Sequence, residues 1–102
     1  MFLTKEEVLK IIDQNLIKIE DELKKQNFSC NVHKEEDNIY IEVHTKKERK
    51  YLHRISLYWK NKLVLLQQNL YETHQTFPLL TFEEIQGDQI YNHFFEHFYK
   101  RK

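Results

Sequence analysis

The chain has 102 residues, of which 40% are hydrophobic and 31% charged, and its formal net charge is zero. That length suits one domain with one core, and that composition excludes an intrinsically disordered segment. A single cysteine, Cys30, excludes an intrachain disulfide, and no apolar run approaches the roughly 20 residues that a membrane-spanning helix needs.

The opening residues, MFLTKEEVLK, lack the basic start, apolar stretch and small-residue cleavage site of a signal peptide, so the chain reads as cytoplasmic. Thr4 with Glu7 forms a capping-box pattern, flanked by Leu3 and Val8 as a hydrophobic staple. Val8, Ile12, Leu16, Ile19 and Leu23 then recur at helical spacing. Lys24 and Lys25 suit the negative end of the helix dipole, and Asn27 suits a left-handed stop. Ile17 falls off this stripe.

Two alternating runs follow. Phe28, Cys30 and Val32 share one face, as do Ile39, Ile41 and Val43, and the polar KEEDN between them predicts an antiparallel hairpin. The segment from Lys46 to Glu72 admits two readings. As strands, Ile55, Leu57 and Trp59 alternate with Arg54, Ser56, Tyr58 and Lys60, and Asn61 and Lys62 turn the chain into Leu63–Leu66. As one long helix over residues 46–72, Leu52, Ile55, Trp59, Leu63, Leu66 and Leu70 fall at helical spacing, but Tyr58, Val64 and Leu65 are left wet. The strand reading places more side chains sensibly and is preferred.

Residues 73–80 read as a loop around Pro78. Thr81 and Glu84 repeat the capping-box pattern, with Leu80 and Ile85 as its staple. Gly87 is expected to interrupt that helix and Asp88 to cap a new start. Tyr91, Phe94, Phe95 and Phe98 then give an aromatic inner face. The expected fold class is α+β: an N-terminal helix, an antiparallel sheet of about four strands and a C-terminal helix in two layers, with one sheet face open.

Chemistry is sparse. His93, Glu96 and His97 match the H-x-x-E-H pattern of one zinc-peptidase class, but only five residues follow His97 to supply a third ligand. Both histidines are expected on the solvated side of the last helix, as weak metal candidates at most. Cys30 reads as a buried apolar side chain, not a nucleophile. His33, His44, His53 and His74 lack ligand spacing, and a single glycine excludes a glycine-rich phosphate loop. Glu20, Asp21, Glu35 and Glu36 read as solvated. No catalytic residue and no cofactor is expected.

The main electrostatic feature is central. Residues 46–62 carry seven Lys/Arg against one acidic residue. Lys46, Lys47, Arg49 and Lys50 lead into Tyr51, and Arg54, Tyr58 and Lys60 follow on one expected strand face. Basic side chains interleaved with aromatics suit an acidic protein partner or single-stranded nucleic acid. A charged edge that blocks sheet-to-sheet aggregation is the plain alternative. The zero net charge favours protein. By size, layout and lack of an evident active site, the chain is similar to small bacterial or phage inhibitors, the toxin-immunity and anti-defence proteins that block a toxin or nuclease. No residue motif carries that similarity. The expectation is therefore a protein-binding inhibitor, contacting its partner through Tyr40, Lys47, Arg49, Arg54, Tyr58 and Lys60. Nucleic-acid binding through the 46–62 strip is the alternative.

Overall fold

The first helix begins where its cap chemistry dictates. The Thr4 hydroxyl accepts from the Glu7 amide at 3.2 Å, and the Thr4 amide donates back to the Glu7 carboxylate at 3.3 Å. Helix α1 then runs Lys5–Lys25 and buries Val8, Ile12, Leu16, Ile19 and Leu23, as the spacing predicts. Its end is a Schellman turn: Asn27 adopts φ 64°, the Asn27 amide donates to Lys24 O and the Phe28 amide to Leu23 O. Ile17 remains exposed on the far side.

The computed structural model describes residues 3–44, 50–70, 73–76 and 80–100. After α1 come β1 (Ser29–Lys34), β2 (Asn38–His44), β3 (Lys50–Tyr58), β4 (Leu63–Leu70), β5 (Thr73–Thr76), β6 (Leu80–Thr81) and α2 (Gln89–Lys100). The sheet is an antiparallel meander in the order β1-β2-β3-β4-β5, and the short β6 pairs with the start of β4. The fold is thus α+β, as expected, and residues 50–70 are a hairpin and not a long helix.

Register assigns the two sheet faces. Ile39, Ile41 and Val43 of β2 stand opposite Ile55, His53 and Tyr51 of β3, and Val64, Leu66 and Gln68 of β4 continue that face. Here the aromatic stripe of α2 docks: Phe94 and Phe98 meet Tyr51 edge-on at 5.7 and 5.1 Å between ring centres. Helix α1 joins the same core. The opposite face carries Tyr40, Glu42, Leu52, Arg54, Ser56, Tyr58, Leu63 and Leu65, and no described helix covers it.

Three expectations need correction. Residues 73–76 form β5 and are not a loop, because their backbone completes the ladder along β4. Pro78 lies outside the described residues. The Thr81–Glu84 bonds do form, at 3.3 and 3.4 Å, but they close a turn and not a helix, and α2 starts only after Gly87 turns the chain at φ 65°. Lys60 and Trp59 lie in the β3–β4 turn and not on the strand. The Trp59 indole donates to Asp37 at 2.8 Å, and Lys62 closes the turn at φ 55°.

Candidate functional site: the open face of the sheet

The open face is built by the pleat of three central strands. In β3 the even positions point outward, so Leu52, Arg54, Ser56 and Tyr58 line one row along the strand. Pairing sets their neighbours across the sheet: His33, Tyr40, Arg54 and Gln67 form one cross-strand row through β1, β2, β3 and β4. Tyr58 is 44% exposed at the end of β3. Arg54 and Tyr58 are four residues apart on one strand, roughly 13 Å along it.

Charge on this face is already partly neutralised. Glu42 accepts from His44 Nε2 at 2.8 Å and from Lys50 Nζ at 3.2 Å. These two hydrogen bonds, that from His44 first, hold its carboxyl below the usual range. Arg54 is different. It is half-buried, and among the described residues no carboxylate pairs with it. It stands beside a shallow open depression of about 290 Å³, lined by Asp37, Asn38, Arg54, Ser56, Leu57 and Tyr58. Within it the Ser56 hydroxyl donates to Asn38 Oδ1 at 2.9 Å, and Asp37 is held by the Trp59 indole.

Of the sequence-predicted contact residues, Tyr40, Arg54 and Tyr58 do share this face. Lys60 lies just beyond it in the turn. Lys47 and Arg49, with Lys46, lie outside the described residues. Sequence reasoning omitted Leu52, Leu63 and Leu65, whose half-buried side chains give the face its apolar part. Alternation within β3 and β4 was the signal that could have found them.

A second polar cluster lies on the inner face, and it corrects another expectation. His93 and His97 are not on a solvated side: both are half-buried, with ring centres 4.4 Å apart, and His93 lies 6.4 Å from His53. His53 is fully buried against Phe94 at 5.1 Å. Neither of its ring nitrogens, and neither polar atom of the cross-strand Gln68, has a hydrogen-bond partner among the described residues. Burial first, then the nearby imidazoles, push His53 down to about 3. Burial likewise lowers His93 to about 4. Among the described residues no group of three or more His, Cys, Asp or Glu side chains is arranged to hold a metal ion. Glu96, the third member of the zinc-like pattern, points to solvent. Cys30 is half-buried on the inner face of β1, and burial raises its thiol to about 11, so little reactive thiolate forms at neutral pH.

Comparison with protein-family models, curated proteins and solved structures finds no match. Among the described residues no helix is long and apolar enough to cross a membrane.

Proposed function

We propose that the chain is a small protein-binding domain that inhibits its partner by forming a stoichiometric complex, in the manner of toxin-immunity or anti-defence proteins. The observation that carries this reading is the open face of β2, β3 and β4. It combines two tyrosines, an arginine and leucines on a rigid sheet, and no described helix covers it. Tyrosine and arginine supply much of the binding energy at protein interfaces, and a sheet holds them at low entropic cost. Neutralisation of Lys50 by Glu42 weighs against a continuous phosphate-tracking strip on this face. A cytoplasmic setting belongs to the same proposal.

Capture from native host lysate, with and without nuclease and read by mass spectrometry, tests it. One dominant protein in near one-to-one amount, unchanged by nuclease and lost on Tyr40→Ala with Tyr58→Ala, is the expected result. A complex that vanishes with nuclease and weakens steeply with salt would replace this reading with nucleic-acid binding through residues 46–62.

A further inference from the structure

We infer that Arg54 is the anchor of the open face, and that it takes a carboxylate side chain, Asp or Glu, presented by the protein partner. This inference rests on the protein-binding reading above and names the chemistry of its contact. On the same face Glu42 holds His44 and Lys50, and Asp37, whose carboxylate also lines the depression, accepts from the uncharged Trp59 indole. Among the described residues that line the depression Arg54 is the one cation, and no described carboxylate pairs with it; it is half-buried between Tyr40 across the strand and Tyr58 along it. A guanidinium in that position is partly desolvated, so a carboxylate that meets it gains more than at a fully wet site.

The neighbouring groups favour a carboxylate over a phosphate. Asn38 Oδ1 accepts from Ser56, which orients the Asn38 amide and leaves its NH₂ without a partner among the described residues. One guanidinium fork and one amide donor match the two oxygens and single charge of a carboxylate. A phosphate group carries more charge and is ordinarily held by several basic side chains, whereas among the described residues the other charge on the depression is the carboxylate of Asp37. The leucines and tyrosines around Arg54 supply the water-excluding surround that makes such a contact strong.

The test has two arms on the full chain. In the first, ¹⁵N-labelled protein is titrated by NMR with N-acetyl-glutamate amide, inorganic phosphate and oligothymidylate at matched ionic strength. The Arg54 Nε–H and the amides of Tyr40, Ser56 and Tyr58 are followed. Saturable shifts with the glutamate probe, absent in Arg54→Gln, are expected. Stronger shifts with phosphate or the oligonucleotide, or no shift at Arg54 with any probe, would overturn the assignment. In the second arm, the captured partner is titrated against Arg54→Gln and Arg54→Lys, both first shown to share the wild-type urea midpoint. At least tenfold weaker binding is expected for Arg54→Gln, with only partial recovery in Arg54→Lys because the fork is lost. If Arg54→Gln binds as wild type while the tyrosine pair variant does not, the docking face stands and the carboxylate anchor falls. If neither variant weakens binding, both fall.

Discussion

Asn15 is the residue that ties the two helices together. It is 1% exposed, and its Nδ2 donates to Ile11 O and to Gly87 O, both at 2.8 Å. Its Oδ1 accepts from the Tyr91 amide at 2.9 Å, which is one of the orphan donors in the first turn of α2. Helix α2 is therefore capped partly by a side chain from α1, whose partners lie more than seventy residues away in sequence. The sequence reading passed over Asn15 because it followed only the apolar members of the stripe. A polar residue beside Leu16 and next to Ile12 in the following turn carries no local mark of a distant partner. Replacing Asn15 with Leu removes the partners of the Gly87 carbonyl and the Tyr91 amide, both in part-buried hydrogen bonds, and each loss costs about 1–3 kcal/mol. The expected loss is about 3 kcal/mol in urea unfolding at pH 7.5. A loss under about 1 kcal/mol would show that the Asn15 hydrogen bonds are not what holds the two helices together.

At the scale of elements, local chemistry was legible wherever it acts within a few residues. The cap, stripe and Schellman end of α1 follow from side chains that contact their own turn. The hairpin of β3 and β4 was ambiguous because Ile55 and Trp59, four residues apart, fit both periods. Its decision came from tertiary pairing, which puts Tyr51, His53, Ile55 and Leu57 on one face under α2. The strand β5 was hidden by its THQT composition, since an edge strand paired through its backbone needs no apolar alternation. The two capping boxes make the same point from opposite sides. Thr4 and Thr81 form the same bonds to Glu7 and Glu84, yet only the first opens a helix. Thr4→Ala should therefore cost about 1 kcal/mol, the usual loss at an N-cap. Thr81→Ala, which loosens only a turn, should cost less than half of that. Paired urea curves decide it, and equal losses would mean that the second box also nucleates structure. Gly87 gives a third comparison. An added Cβ would meet nothing within 4 Å, so its substitution is governed by φ alone. Gly87→Asn should then be milder than Gly87→Ala, which should cost about 1 kcal/mol.

At the scale of the whole molecule, the two faces of the sheet divide the labour between stability and contact, and pH acts on the first. The inner face seals His53 beneath α2, with His93, His97 and the exposed Glu96 on that helix and the neutral Gln68 across the strand. A buried imidazole without hydrogen-bond partners stays neutral, so its folded value of about 3 lies far below the 6.5 of the unfolded chain. Below pH 6.5 the unfolded state therefore binds a proton that the folded state refuses. Stability is complete above about pH 6.5 and falls as pH drops toward 3. By pH 5 His53 alone removes about 2 kcal/mol, a large share of the ~5–15 kcal/mol that holds a small domain together. His93, lowered to about 4 and only half-buried, acts in the same direction more weakly. The urea midpoint should thus fall steadily from pH 7.5 to pH 5. His53→Leu fills nearly the same volume without unpaired nitrogens, so it should match wild type at pH 7.5 and keep most of its midpoint at pH 5. Tryptophan fluorescence from Trp59, which packs on Phe82 at 5.7 Å, reports the unfolding. A wild-type midpoint that does not move between those pH values would mean that His53 is solvated in solution, and with it that α2 does not seal the sheet. If the midpoint moves but His53→Leu keeps the full slope, the acid sensitivity does not come from His53, and His93 at the margin of the core is the next group to replace.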